Sequence, residues 1–315
     1  MSKIEYFSLE GLRLDGRRKD EVRNTKLYCG SDCSVDFLDY DGVSELIHGL
    51  NKVQVLVKGP QEDPRSSKNS YGIAEEKVDI RCEIVIATEK KVKNSQNERI
   101  IKDLSLSVKS TYEEMIISHY YKGCSLNVFV NIIELDGSIK STVLNAVGVA
   151  LVDAGVAIKD LVSSSTVINL DSIILTDPNQ MELNASTAVL CVAVESSTDK
   201  IIYMDYKSKI HLEEINQMVQ AAFAASKKFT DYSREVLRNY SKKAVTLNQN
   251  IHSKMRLSAP SNYYWTFTFA YERFKKDPID YIIFLIFIGH VFGFFGFLIY
   301  LKLQTSKKKL FMYHN

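Results

Sequence analysis

The residues best suited to chemistry lie in a turn at the start of a predicted helix. The turn reads Asp-Gly-Ser at 136–138, and apolar residues then recur with helical spacing over 139–155. The free backbone N–H groups and the positive dipole end of a helix start attract anions, and Lys140 adds a side-chain charge. This combination is typical of a phosphate-binding turn.

Other reactive side chains do not form a recognisable site. Cys29 and Cys33 are close in sequence, but no second pair follows at the spacing of a tetrahedral zinc site, so we interpret them as unpaired thiols. The histidines are scattered singly and are interpreted as structural or surface residues. The sequence therefore predicts no metal site and no cofactor.

The composition is that of a globular protein. Hydrophobic residues make up 45% and charged residues 25% of 315 residues, with a formal net charge of +2. This balance excludes a strongly basic nucleic-acid coat protein or an acidic disordered tail, although it can hide a local basic groove. The odd number of cysteines and an opening without an apolar secretory core predict a reduced compartment.

Strand and helix patterns alternate over most of the chain. Alternating apolar residues predict strands at 52–58 and 78–86, and helical spacing predicts a helix at 102–119. Further strands are predicted at 125–135, 163–170, 186–194 and 200–206, and further helices at 139–155 and 211–243. We therefore predict an α+β fold of two α/β lobes, 1–160 and 161–245, joined near residue 160.

The C-terminal part has a different composition. Residues 246–278 lack hydrophobic periodicity and are predicted to be a linker. The uncharged run from Tyr281 to Leu301 is long enough to cross a bilayer, which makes 279–303 a candidate transmembrane helix followed by a basic tail at 304–315. The alternative is a buried core helix, which would rarely be apolar on every side.

The most informative run is Leu-Arg-Leu-Asp-Gly-Arg-Arg at 12–18. By itself it could be a solvated turn. A predicted strand at 51–60 ends in Gly59-Pro60, and together the two runs resemble the ribonuclease PH family. Further matches lie at 97–99, 134–137, 151–155 and 185–187, so the resemblance runs from about Ile4 to Lys243.

The resemblance implies a ribonuclease PH-like fold and membership of the core ring of an RNA exosome. In such a ring, other ribonuclease PH-like subunits complete a hetero-hexamer around a pore for single-stranded RNA. RNA-binding cap subunits cover one face, and an associated hydrolytic nuclease receives the RNA. Residues 1–160 and 161–245 would be the two ribonuclease PH-like lobes.

The resemblance also indicates a degenerate active site. Active relatives carry small and hydroxyl residues followed by arginine in the phosphate turn, whereas this chain has Ser138, Ile139 and Lys140. Lysine lacks the bidentate geometry of arginine. Ser186 is matched to the catalytic aspartate, and a hydroxyl cannot replace that carboxylate as an acid or a metal ligand. No residue is therefore predicted to be catalytic.

RNA contact remains as the predicted role. The family's pair of pore-facing arginines matches Arg99 and Ile100, and the loop after Gly59-Pro60 offers Arg65 and Lys68 near the pore entrance. Each of these cations could instead be an ordinary surface charge.

Three functional hypotheses follow. The favoured one is a non-catalytic ring subunit that guides RNA in 3′ to 5′ processing and decay, including rRNA maturation and mRNA turnover, in the nucleus, nucleolus and cytoplasm. The second is an active phosphorolytic 3′ to 5′ exoribonuclease that releases nucleoside diphosphates. The third is an RNA-handling protein tethered to a membrane through the helix from Tyr281 to Leu301.

Overall fold

The computed structural model describes residues 8, 11–34, 39–62, 78–87, 95–170, 172–208 and 211–258. Its strands are β1 (Thr25–Cys29), β2 (Gly42–His48), β3 (Asn51–Glu62), β4 (Asp79–Ile86), β5 (Cys124–Glu134), β6 (Val162–Leu170), β7 (Ile173–Thr176), β8 (Ala188–Glu195) and β9 (Ile201–Lys207). Its helices are α1 (Ser95–Met115), α2 (Ile139–Asp153), α3 (Gln180–Ala185) and α4 (Leu212–Ser258). Strands and helices alternate as the sequence predicts.

The first sheet has the order β1-β2-β3-β5-β4. Its neighbours are antiparallel except β4 and β5, which are parallel because α1 connects them as a crossover. Apolar side chains of β3 and β5 alternate, and Val53, Val55, Val57, Val128 and Val130 are buried in the core.

The second sheet is antiparallel throughout, with the order β7-β6-β8-β9. Every residue of β6 is buried although the strand is rich in serine and threonine. Its hydroxyls are satisfied locally; for example, Ser164 Oγ donates to the Ser141 carbonyl at 2.8 Å. Buried polar groups of this kind need such partners.

Helix α2 lies between the two sheets. It contacts β2 and β3 of the first sheet and β6 and β8 of the second, and every residue from Ser141 to Leu151 is buried. Polar residues connect it to both sheets: Ser44 Oγ donates to the Ala146 carbonyl at 2.8 Å, and Asn145 Nδ2 donates to the Ser164 carbonyl at 2.9 Å. The start of α2 is therefore fixed by both sheets.

Some elements differ from the sequence-based prediction. Strands β1, β2 and β7 and helix α3 were not predicted, because they are short or, like β2, buried on both faces without alternation. Helix α4 continues to Ser258, into the segment 246–278 that was expected to be a linker. No glycine or proline occurs between 246 and 258, and the first proline after the helix is Pro260.

The chain divides into two compact units, Met1–Ala244 and Val245–Asn315. The described part of the second unit is the end of α4. Within the described residues, no helix combines the length and apolar character needed to cross a membrane. The candidate transmembrane helix 279–303 and the tail 304–315 lie outside the described residues, as does the remainder of the predicted linker.

Candidate functional site at the start of α2

The predicted phosphate turn lies at the start of α2, as expected. Ser138 is the N-cap residue, with a left-handed backbone at φ 63°, and it is buried. Its hydroxyl donates to the Pro178 carbonyl at 2.9 Å instead of capping the helix. A Cβ atom at Gly137 would overlap the backbone of Pro178 and Asn179, so the segment after β7 lies directly against the turn.

Lys140 is the cation of this turn, and two carboxylates hold it. Its Nζ lies 2.8 Å from Asp103 on α1 and also pairs with Asp205 on β9. Burial alone would lower the pKa of Lys140, but the hydrogen bonds and charges of these carboxylates outweigh burial and raise it above its usual range. Lys207 reaches the same carboxylates at 3.5 and 3.7 Å. We call Asp103, Lys140, Asp205 and Lys207 the outer cluster.

A cavity of about 220 Å³ opens beside the turn. Ser138, Ile139 and the outer cluster form one part of its lining, and Asp136 and Gln180 add polar groups. The rest of the wall is largely apolar and comes from Ile100, Leu104, Leu135, Leu183, Val189 and Cys191. The cavity beside the predicted phosphate turn is therefore lined by apolar side chains and by lysines that are paired with carboxylates.

Ser186 has a structural role at the end of α3. It is the C-cap residue, and its Oγ donates to the Leu183 carbonyl at 2.7 Å. Among the described residues that line the cavity, the segment from α3 to β8 contributes Gln180, Leu183 and Val189 rather than Ser186. None of these three carries a carboxyl group, so this wall offers no general acid.

A second group of charges lies next to the turn, and its side chains are only 6–13% accessible. The Arg23 guanidinium donates to Asp136 at 2.6 Å, to the Gly137 carbonyl at 2.8 Å and to both oxygens of Asp177 at 2.8 and 3.0 Å. His48 Nε2 lies 3.0 Å from the same carboxylate of Asp177. We call Arg23, His48, Asp136 and Asp177 the inner cluster.

The inner cluster controls the ionisation of Asp177. Burial would raise the pKa of this carboxyl, but His48 and Arg23 outweigh burial and hold the pKa well below its usual range. Glu182 is engaged separately, in a capping box with Asn179 and an ion pair with Arg13 at 3.5 Å. Both acidic residues are thus fixed in structural contacts near the turn.

The run at 12–18 is not a solvated turn. Arg13 is buried, and its Nη2 donates to the carbonyls of Lys19 and Thr176. Arg17 pairs with Asp15 at 2.6 Å and donates to the Asp177 carbonyl at 3.0 Å. The arginines of this run therefore attach the N-terminal segment to the connection between β7 and α3.

The predicted RNA-binding residues are only partly described. Arg99 is exposed on the first turns of α1, and the next residue, Ile100, lines the cavity. Arg65 and Lys68 lie outside the described residues. No group of histidine, cysteine, aspartate or glutamate that could hold a metal occurs within the described parts of the chain.

Several residues of the site were missed by sequence reasoning. Arg23, which follows the run at 12–18, and Asp103 and Asp205 were not predicted as site residues. They are separated from Lys140 by long stretches of chain, and no short motif connects them. Asp153, at the end of α2, accepts a hydrogen bond from the Val43 N–H at 2.9 Å.

Comparisons with known proteins point to one family. The sequence model of the 3′ exoribonuclease family, RNase PH domain 1, matches residues 21–157, and that of domain 2 matches 160–225. The exosome complex component ski6 of Schizosaccharomyces pombe is 32% identical over 248 residues, which cover 78% of this chain and 98% of that protein. The exosome complex component Rrp41 of Archaeoglobus fulgidus is 29% identical over 76% of this chain and 91% of that protein.

Solved structures agree in fold. Rice Rrp46 superposes with a TM-score of 0.60 at 21% identity, over 70% of this chain and 98% of that chain. The Archaeoglobus fulgidus exosome with RNA bound to its active site gives a TM-score of 0.55 at 17% identity, over 71% and 93%. At these identities the likeness concerns the fold, and it confirms the predicted two-domain α/β architecture.

Proposed function

Because the chain belongs to the 3′ exoribonuclease (RNase PH) family, we propose that it is a non-catalytic subunit of the core ring of an RNA exosome. Its partners would be other RNase PH-like subunits, RNA-binding cap subunits, single-stranded RNA and an associated hydrolytic nuclease. This role in 3′ to 5′ RNA processing and decay leads us to expect the protein in the nucleus and cytoplasm. The relatives named exosome complex component support this proposal.

The observation that carries the non-catalytic part of the proposal is the pairing of Lys140. Phosphorolysis needs inorganic phosphate held by free positive charge beside the last phosphodiester. In this chain the only cation of the phosphate turn among the described residues is held by Asp103 and Asp205. A phosphate that approached Lys140 would therefore meet two carboxylates, which repel it.

The proposal also rests on the state of the carboxylates that line the cavity. An acidic side chain that assists attack must be free to exchange a proton with the reacting groups. Asp103 and Asp205 are paired with Lys140, and Asp136 is paired with Arg23 at 2.6 Å. All three carboxylates are therefore held in ion pairs. Leu183 and Val189 contribute only apolar surface to the cavity.

RNA guidance is proposed to use Arg99, Arg65 and Lys68. Arg99 is exposed, and an exposed side-chain cation can contact a phosphodiester without regard to sequence. The family resemblance matches Arg65 and Lys68 to the loop near the pore entrance. A few inward-facing cations suffice for a pore wall, because the path of RNA needs attraction rather than tight binding.

The test is reconstitution of the full chain with RNase PH-like partners, followed by incubation with single-stranded RNA, Mg²⁺ and phosphate. We expect assembly of the ring and no release of nucleoside diphosphates. Release of nucleoside diphosphates that is lost in Lys140→Ala would instead identify an active phosphorolase. A chain that fails to assemble with any such partner would overturn the ring assignment.

RNA binding by the same assembly tests the guiding role. We expect Arg99→Gln to reduce the slope of log affinity against log salt by about 0.7, the value for one phosphate contact to a single strand. Lys207→Gln is the control, because Lys207 belongs to the outer cluster and already pairs with carboxylates. An unchanged slope for Arg99→Gln would remove Arg99 from the RNA path.

A further inference from the structure

An exposed group of aromatic rings follows α1. The turn at Ser118–Tyr120 is a 3-10 helix, and it leads into β5 at Cys124. His119 and Tyr120 are exposed, with 66% of Tyr120 accessible, and their ring centroids lie 3.9 Å apart. We call His119, Tyr120, Tyr121 and Lys122 the aromatic turn. Isolated exposed rings are common, but two exposed rings in contact, with planes tilted by 41° and an exposed lysine two residues further along the chain, are a more specific arrangement.

The aromatic turn is held firmly by its neighbours. Tyr121 packs against the hydrophobic core, and its hydroxyl accepts a hydrogen bond from the Ala157 N–H at 2.8 Å. The Ile117 N–H donates to the Ala157 carbonyl at 3.0 Å. The Tyr121 ring also meets Tyr120 edge-on at 6.4 Å. Tyr120 is therefore presented to solvent from a fixed base, so little conformational entropy would be lost when a ligand stacks on it.

The position of the turn relates it to the proposed RNA path. In the first sheet Glu62, the last residue of β3, pairs with Cys124, and Asp79, the first residue of β4, pairs with Ser125. The connection between β3 and β4 therefore leaves and re-enters the sheet beside the aromatic turn. Arg65 and Lys68, which belong to that connection in sequence, are the cations proposed to contact RNA near the pore entrance.

We infer that the aromatic turn is an additional contact for single-stranded RNA, in which a base stacks on Tyr120 and His119 and Lys122 contacts the backbone. Every base has an aromatic face, so such a platform accepts any sequence, as a pore for RNA requires. Lys122 is exposed and has no carboxylate within 4.0 Å among the described residues, which leaves its charge available. The inference rests on the proposed function, because it extends the RNA path that this function requires.

The experiment measures binding of fluorescein-labelled single-stranded RNA to the assembled ring by fluorescence anisotropy. Tyr120→Ala is expected to weaken binding about fivefold to tenfold, whereas Tyr120→Phe, which keeps the ring, binds like the wild type. Lys122→Gln is expected to lower the salt slope by about 0.7. Tyr28→Ala is the matched control, because Tyr28 is an exposed tyrosine on β1, at the opposite edge of the sheet, and its loss leaves binding unchanged.

The outcomes separate this inference from the proposed function. Failure of the wild-type chain to assemble contradicts the proposed function. Normal assembly with RNA binding that is unaffected by Tyr120→Ala overturns the inference alone. Normal assembly without any RNA binding contradicts both the inference and the guiding role in the proposed function. Loss of a protein subunit from the ring in Tyr120→Ala identifies the aromatic turn as a protein contact and also overturns it. If Tyr120→Ala does not fold, His119→Ala tests the same platform, and unchanged binding in that variant overturns the inference.

Discussion

The inner and outer clusters flank the same turn, but their charged side chains differ in solvent accessibility. In the inner cluster the side chains of Arg23 and Asp177 are 8% and 6% accessible, whereas in the outer cluster those of Asp103 and Lys207 are 46% and 62% accessible. A buried pair is strongly destabilised when one partner is lost, because the other charge stays desolvated. An exposed pair can recover its hydration. The inner cluster therefore serves the fold. In the outer cluster Asp103 and Lys207 can change with little cost to the fold, whereas the side chain of Lys140 is only 11% accessible.

Under the proposed function, this difference gives a way for a site to lose its chemistry while the fold persists. The inner cluster holds the turn through the Gly137 carbonyl and Asp136, so the backbone of the phosphate turn keeps its position. The outer cluster then decides what the turn can bind. We propose that the pairing of Lys140 with Asp103 and Asp205 weakens the attraction of the turn for anions.

The largest expected effect comes from breaking the inner cluster. Arg23→Met leaves the carboxylates of Asp136 and Asp177 without their main partner, and we expect the free energy of unfolding to fall by about 3–5 kcal/mol. Urea unfolding followed by circular dichroism measures it. The matched change in the outer cluster is Lys207→Met, for which the expected change is within about 0.5 kcal/mol. Equal losses in the two variants would contradict the comparison.

The two clusters should also respond to opposite ends of the pH scale. Because the folded pKa of Asp177 lies below its ordinary value, its stabilisation is present above about pH 3.9 and is lost as pH falls further. The folded pKa of Lys140 is raised, so its stabilisation is present below about pH 10.4 and is lost as pH rises through the folded pKa. Asp177→Asn should mainly flatten the acid side of the stability profile, and Lys140→Met should mainly flatten the alkaline side. Because Lys140 also lowers the pKa of Asp103, Lys140→Met should remove a part of the acid dependence as well.

Thermal unfolding of the two variants and the wild type across this pH range is the measurement. Asp15 also has a lowered pKa: burial would raise it, but the contacts with Arg17 outweigh burial. The stability of Asp177→Asn will therefore still depend to some extent on acid pH. An Asp177→Asn variant with the same acid slope as the wild type would show that the inner cluster does not set acid stability.

The smallest expected effect concerns binding by the outer cluster. The double variant Asp103→Asn, Asp205→Asn removes two negative charges next to Lys140, and we expect phosphate affinity to rise at least about tenfold, or about 1.4 kcal/mol. Titration with inorganic phosphate followed by calorimetry measures it. Adding Lys140→Met to the double variant is the control and should abolish the gain. No gain in the double variant would mean that the apolar walls, not the carboxylates, exclude phosphate.

Sequence reasoning was most successful where a pattern is local. The alternation in β3 and β5 and the helical spacing of α2 each depend on neighbouring residues, and the structure confirms these elements. The short β7 and α3 carry too few residues for a periodic signal. The sequence also did not show that arginines at 12–18 make buried contacts, because an exposed turn and a buried segment can have the same composition.

The sequence by itself determined the family, the alternation of strands and helices and the position of the phosphate turn, because each of these depends on residues that are close along the chain. Only the tertiary structure decided that Lys140 is paired with Asp103 and Asp205 and that Leu183 and Val189 face the turn. The reason is that α1, α2, α3 and β9 meet at one place only after both sheets pack on α2. Whether a lysine is available to an anion depends on which carboxylates the fold brings to it.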